Sequence, residues 1–190
     1  MKKLWAIVAV CAPLFGMAQI EKGKQFVSAN VGFYTLSKKA GGQTTIAGTY
    51  GYLFSDRWAA GISPSDQHSW SDNSNGKTRI NYFNLGGFVR RYFSAGEKLF
   101  VHVDGGVYYQ HSYILTQNLQ DINPLINKSH GLSLVISPGA TYFLTNKVAL
   151  TANLGNISTG WGFHNGTTSP TGFGFSLGAQ SLTLGASVFF

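Results

Sequence analysis

Apolar and polar residues alternate along most of the chain, and this two-residue period limits the possible folds more than any other feature. In segment 26–35 the odd positions are mainly apolar, whereas the even ones carry mostly Ser, Asn, Gly and Tyr. Successive side chains of a β-strand point to opposite faces, whereas a helix repeats every 3.6 residues. The pattern recurs and predicts eight strands, at about 26–35, 44–54, 58–65, 82–93, 99–110, 132–141, 150–154 and 182–190.

Alternation alone does not say which face is buried, because a soluble lipocalin-like barrel or sandwich also alternates. Only 11% of the residues are charged, and the polar positions carry mostly small residues rather than Lys or Glu. A sheet surface facing water is usually richer in charge, whereas small polar side chains suit a narrow barrel lumen. Several segments also reach the 9–11 residues that a tilted strand needs to cross a bilayer. We therefore predict an eight-stranded antiparallel up-and-down transmembrane β-barrel, with a soluble lipocalin-like binder as the competing fold.

The predicted connections support this choice, because short turns alternate with longer polar loops as they do in membrane barrels. The short turns fall at 55–57, 94–98 and 145–147, and the loops at 37–43, 66–77, 116–129 and 158–171. Aromatic residues near both ends of the strands predict two girdles at the membrane interfaces. The girdle at the short-turn ends comprises Trp58, Tyr92, Phe93, Tyr142 and Phe190, and the other comprises Phe33, Tyr109, Tyr113 and Trp161.

The first 18 residues have the composition of a cleaved secretory signal peptide. Lys2 and Lys3 precede an apolar run of about a dozen residues, and small residues follow up to Ala18. Cleavage there leaves residues 19–190 as a single domain. It also removes Cys11 and lowers the formal charge from +7 to +5. This modest surplus lacks a basic cluster, so it favours contact with anionic lipid headgroups and disfavours nucleic acid.

The C-terminal segment carries the family resemblance. Leu182, Leu184, Ala186, Val188 and Phe190 alternate with small polar residues, as in the C-terminal targeting signal of bacterial outer-membrane barrels. The segment Gly86–Phe93 is also similar to one common in small barrels. The mature chain thus resembles the OmpX/OmpA-like outer membrane protein β-barrel domain group. That resemblance implies localisation in the bacterial outer membrane and assembly by its insertion machinery, but no reaction.

The most suggestive polar group comprises Arg90, His102 and Asp104, which fall on the predicted lumen face of neighbouring strands. A buried charge needs a partner. We therefore expect Arg90 to pair with Asp104 and His102 to add hydrogen bonds, in a structural network rather than a proton or ligand relay. His111, Ser112 and Asp121 suggest hydrolase components, but adjacent strand residues face opposite ways. We expect no enzymatic activity, metal or cofactor.

The expected role is structural or adhesive, because an eight-stranded lumen is nearly filled by side chains. The long loops would contact lipopolysaccharide, other cells or host molecules. One alternative is a narrow channel for small or apolar solutes, and a less favoured one is an enzyme that modifies lipid A.

Overall fold

The computed structural model describes residues 20–35, 41–73, 76–118, 125–164, 167–178 and 180–190, so the predicted signal peptide lies outside the described part. The strands are β1 Gln25–Thr35, β2 Gly41–Ser55, β3 Trp58–Asn73, β4 Gly76–Ser94, β5 Leu99–Asn118, β6 Leu125–Phe143, β7 Val148–Asn153, β8 Gly155–His164, β9 Thr167–Leu177 and β10 Thr183–Phe189. Within these ranges no helix is long and apolar enough to cross a membrane.

Eight of the strands close into an antiparallel ring. Each of β1 to β6 pairs with the next strand along the chain, and β10 pairs with both β7 and β1. At the closing ladder Phe26 lies opposite Phe189 and Val31 lies opposite Leu184. The predicted eight-stranded barrel is therefore confirmed.

The two faces of the wall follow the alternation in the sequence. On β1, Ser28 and Asn30 are buried in the lumen, whereas Val27 and Val31 are exposed on the outside. The outward residues of most other strands are likewise apolar and exposed. This pattern is the inverse of a soluble barrel, which buries its apolar face.

The two ends of the barrel differ, and we name them by their connections. The short-turn end carries the connections at 56–57, 95–98 and 144–147, as predicted. At the other end, which we call the hairpin end, the strands extend through most of the predicted loops. β3 continues to Asn73 and β4 begins at Gly76, where a loop over 66–77 was expected. The ladder continues because Ser, Thr, Asn and Lys also form backbone pairs, although they do not mark a strand by apolar alternation.

β8 and β9 form a hairpin that extends β7 and β10 towards the hairpin end, and the register is interrupted where each joins its continuation. β7 ends at Asn153 and β8 begins at Gly155, whose φ is +112°, while Gly178 has φ +138° between β9 and β10. Glycine adopts these angles without the penalty that a Cβ would impose. β8 pairs with β6 and β9 pairs with β8.

Candidate functional site

The lumen at the hairpin end contains a cavity of about 590 Å³, within the range of sites for small molecules. Its lining consists mainly of short neutral polar side chains, including Asn30, Thr49, Ser63, Ser65, Asn84, Gln110, Ser112, Ser133 and Ser137. Such groups donate and accept hydrogen bonds without net charge. The expectation of a lumen nearly filled by side chains therefore fails in this half, because the small side chains that line the wall do not reach across it.

Arg90 and Asp104 form the floor of the cavity. The Arg90 Nε and Nη2 donate to the two carboxylate oxygens of Asp104 at 2.6 and 2.7 Å. The side chains are only 6% and 15% exposed. The register explains the contact, because Arg90 lies directly opposite Asp104 on the β4–β5 ladder. Planar, bidentate pairing of this kind is the geometry in which guanidinium and carboxylate bind most strongly.

His102 belongs to a second set of hydrogen bonds, beside the ion pair. Its Nε2 lies 3.3 Å from Asn153 Oδ1, and its Nδ1 lies 3.2 Å from Thr141 Oγ1. An amide oxygen only accepts, so the ring proton is assigned to Nε2 and Thr141 donates to Nδ1. Asn153 Nδ2 then donates to Thr183 Oγ1 at 3.3 Å. This series of hydrogen bonds connects β6, β5, β7 and β10.

The three residues predicted as one network are thus close in space but divided between two arrangements. Arg90 donates to the Tyr92 hydroxyl at 3.3 Å, and the ring of Tyr92 lies 5.7 Å from that of His102. The partners Thr141, Asn153 and Thr183 were missed as site residues. The sequence could have indicated them, because all three belong to the alternating polar residues of their strands.

Beneath the ion pair, large side chains fill the lumen at the short-turn end. We call this set the aromatic plug; it comprises Phe26, Phe88, Tyr92, Phe100, Phe143 and Phe189, together with Leu53. Ring centroids lie 5.2 Å apart for Phe26 and Phe189, and 4.9 Å apart for Phe143 and Phe189. Gly51 makes room for the plug, since a Cβ there would collide with the Phe26 ring.

The plug also corrects one assignment to the predicted girdle. Tyr92 points into the lumen and is 2% exposed, whereas its neighbour Phe93 faces outward. Two consecutive residues of a strand cannot share a face, so only one of them belongs to the outer belt. Trp58, Tyr142 and Phe190 of that girdle are exposed on the outside.

The predicted hydrolase components are not brought together. His111 is exposed on the outer face, while Ser112 is buried in the lumen and lies 2.6 Å from the Ser129 hydroxyl. Asp121 lies outside the described residues. Among the described residues, no group of three or more His, Cys, Asp or Glu side chains could hold a metal ion.

Comparison with known proteins places the fold. No family model matches the chain, and no curated protein sequence matches it. Among solved structures, the N-terminal β-barrel domain of Pseudomonas aeruginosa OprF is 13% identical, with 89% of this chain and 98% of that one covered and a TM-score of 0.43. The attachment invasion locus protein Ail of Yersinia pestis is 11% identical, with 89% and 99% covered and a TM-score of 0.44.

A major outer membrane protein from Thermus thermophilus is 16% identical, with 90% of this chain and all of that one covered and a TM-score of 0.50. The chain has the fold of a bacterial outer-membrane β-barrel. Within this barrel, the residues of the predicted C-terminal signal lie on β10 or directly beside it. Leu184, Ala186, Val188 and Phe190 are exposed on the outer face, and Leu182 is half-buried.

Proposed function

We propose that the protein is an integral barrel of the bacterial outer membrane, with its short-turn end in the periplasm and its hairpins at the cell surface. The main observation that supports this proposal is the apolar outer face around a closed ring of strands. In hydrocarbon every backbone polar group needs a partner within the protein, and a closed ladder supplies one. Arg91 supports the placement, since its guanidinium lies 5.2 Å from the Trp58 ring and 5.0 Å from the Phe93 ring near the short-turn end. A cation among aromatic residues is typical of a membrane interface.

Fractionation followed by gel electrophoresis tests this proposal. Protein from the outer-membrane fraction should migrate faster in SDS before boiling than after it, because a closed barrel resists the detergent. Recovery in the soluble periplasmic fraction without a heat shift would overturn the membrane assignment in favour of a soluble lipocalin-like binder.

The role within the membrane is proposed to be structural and adhesive, without conduction through the centre. The aromatic plug and the Arg90–Asp104 pair close the lumen at the short-turn end, and Phe26 and Phe143 are almost completely buried. In planar bilayers we expect no steady conductance. The competing proposal, a narrow channel for small solutes, is favoured by the cavity at the hairpin end and would be supported by unitary currents in the wild-type protein.

The β3–β4 hairpin is the surface element to which we assign this adhesive role. It presents Trp70 beside His68 at a ring distance of 6.0 Å, with the Asp72–Arg79 ion pair nearer its tip. Lipopolysaccharide and host surfaces are the proposed partners, and the outer-membrane insertion machinery is the proposed partner during assembly.

Deleting residues 70–79 and closing Ser69 to Ile80 with Asn-Gly would shorten the hairpin in register, because these residues are cross-strand partners. Cells producing this variant should adhere less to epithelial layers than cells producing equal amounts of the wild type. An Asp72→Asn variant serves as the full-length control. Equal adhesion of all three strains would argue against the hairpin as the adhesive element.

The proposed role involves no catalysis. Mass spectra of lipid A from cells with and without the protein should be identical. A changed acylation pattern that requires the protein would replace this proposal with a lipid A-modifying enzyme.

A further inference from the structure

The barrel wall is interrupted on one side of the hairpin end. β1 pairs with β10 as far as Val31 and Leu184, and for residues 32–34 of β1 the ladders between described residues are those with β2. β9 pairs with β8, and it is the edge strand of the sheet formed by the described residues. Among these residues no ladder joins the upper part of β1 to β9, and we call this interruption of the wall the seam.

At the lower border of the seam, Ser181 makes hydrogen bonds to residues at the end of β9. The Ser181 hydroxyl lies 3.1 Å from the Ser176 carbonyl oxygen and 3.2 Å from that of Gly178. The Ser181 backbone N–H also donates to the Gly178 oxygen at 3.1 Å. Among the described residues, β9 does not continue the ladder that β10 forms with β1.

Apolar side chains flank the seam on its outer surface. Phe33 on β1 is 69% exposed, and Phe173 and Phe175 on β9 are 75% and 66% exposed. They are the three most exposed aromatic side chains in the described part of the chain. Large apolar groups at such exposure indicate contact with lipid or with an apolar ligand.

Behind the seam lies the polar cavity. Gln43, Thr45, Ser181 and Thr183 line both the cavity and a crevice at the lower end of the seam. The inward residues Gly174 and Ser176 of β9 border the cavity higher up. The cavity and the crevice thus share polar lining residues, while the outer rim of the seam is apolar.

We infer that the seam and the cavity together bind an amphiphile with an uncharged, hydroxyl-rich headgroup. The headgroup lies in the cavity, and its acyl chain passes outward between Phe33 and the two phenylalanines of β9 into the outer leaflet. From the cavity side, headgroup hydroxyls can hydrogen-bond to backbone polar groups of β9 that have no strand partner among the described residues, whereas hydrocarbon cannot. This inference goes beyond the proposed structural and adhesive role, which requires no lipid ligand.

The charge of the cavity selects the headgroup. Arg90 and Asp104 on its floor neutralise each other through two hydrogen bonds, and most other lining side chains are Ser, Thr, Asn and Gln. An anionic headgroup would require a cation that is not already paired, since burying an unpaired charge is unfavourable. A neutral sugar matches the lining better.

Native mass spectrometry of the full barrel released from nanodiscs tests the inference. The discs would contain phosphatidylethanolamine with equal small fractions of monogalactosyl diacylglycerol and phosphatidylglycerol. The galactolipid should be retained more than about tenfold over phosphatidylglycerol. Equal retention of the two lipids, or preference for the anionic lipid, would overturn the inference. So would a lipid-free dimer, since it would mean that a second copy covers the β9 edge.

Two variants locate the site. Ser176→Trp places a bulky ring on the cavity side of β9, and the double variant Gln43→Leu, Thr45→Val removes hydrogen-bonding groups at the crevice. Both should lose galactolipid retention.

The matched control is Val107→Trp on β5. Val107 is exposed on the outer face, and β6 and β8 separate it from β9, so the substitution adds the same ring outside the lumen and away from the seam. This variant should retain the lipid. A heat-shift gel establishes that each variant forms the barrel, and equal retention by all of these folded proteins would refute the site.

Discussion

The short-turn half and the hairpin half of the barrel share one backbone ladder, yet their interiors differ. In the short-turn half the aromatic plug fills the lumen, and Phe26 and Leu53 have no exposed surface. In the hairpin half, small polar side chains leave a cavity of about 590 Å³. The size of the inward side chain therefore decides whether the lumen is closed or open. We therefore expect the short-turn half to contribute most of the stability, whereas the hairpin half is available for recognition.

Removing the carboxylate of the ion pair should have the largest effect on stability. Asp104→Ala leaves the Arg90 guanidinium buried without its bidentate partner, and such losses cost about 3–5 kcal/mol. Urea unfolding of the refolded barrel in detergent micelles measures this cost. Gln110→Ala, inward on the same strand but beside the cavity, is the matched control and should cost much less. Equal losses in the two variants would contradict the division into two halves.

Truncating the plug should have the next largest effect. Leu53→Ala opens a void among the aromatic rings, and such substitutions cost about 2–5 kcal/mol in packed cores. The same urea titration measures it, with outward-facing Leu134→Ala as the control. The control should cost less, because lipid can occupy the space that the shorter side chain leaves. If Leu53→Ala lowers the free energy of unfolding no more than Leu134→Ala does, the plug is not tightly packed.

Breaking the hydrogen-bond chain at His102 should have a smaller effect. His102→Leu leaves Thr141 and Asn153 without their partner, and an unsatisfied buried polar group costs about 1–3 kcal/mol. The combined variant His102→Leu, Thr141→Val should recover part of the loss, since it removes one of the orphaned groups. If the double variant is no more stable than the single one, the Thr141 bond does not contribute.

The ion pair on the β3–β4 hairpin should matter least. Asp72 and Arg79 are both partly exposed, and the Arg79 hydrogen bond holds the pKa of Asp72 below its ordinary 3.8. A lowered folded-state pKa stabilises the protein above pH 3.8, and this contribution is lost as the pH falls through the folded value. Solvent screening keeps it small, so Asp72→Asn should not change the melting temperature at about pH 7. An NMR titration should find the Asp72 pKa raised in Arg79→Gln, and an unchanged value would contradict the pairing.

Much of the wall could be predicted from sequence, because each inward or outward position follows from parity. Val31 and Asn30 are examples of correctly assigned faces, and the polar positions of β4 and β5 placed Arg90 opposite Asp104 on neighbouring strands. The plug was harder to foresee. Aromatic residues favour strands in any environment, so the sequence did not indicate that Phe26 and Phe189 would pack together across the closing ladder.

The β8–β9 hairpin was missed for a different reason. Gly160, Gly162, Gly172 and Gly174 have no side chain that could alternate, so the segment resembled a polar loop. Its pairing depends on the β6 edge, which is formed only in the folded barrel. The seam was likewise not predictable, because it depends on which strands pair with β1 in the folded barrel rather than on a local pattern.

The closing ladder between β1 and β10 has a consequence for how fast the barrel forms. The Ser28 and Ser187 hydroxyls lie 2.6 Å apart across this ladder, although nearly the whole domain separates them in sequence. Loop-closure entropy opposes such distant pairings, whereas the β2–β3 and β4–β5 hairpins need only short loops. We therefore expect the hairpins to form first and ring closure to set the folding rate. Until it closes, both strands expose edges that can pair with other chains, so the unclosed sheet is the species most prone to aggregation.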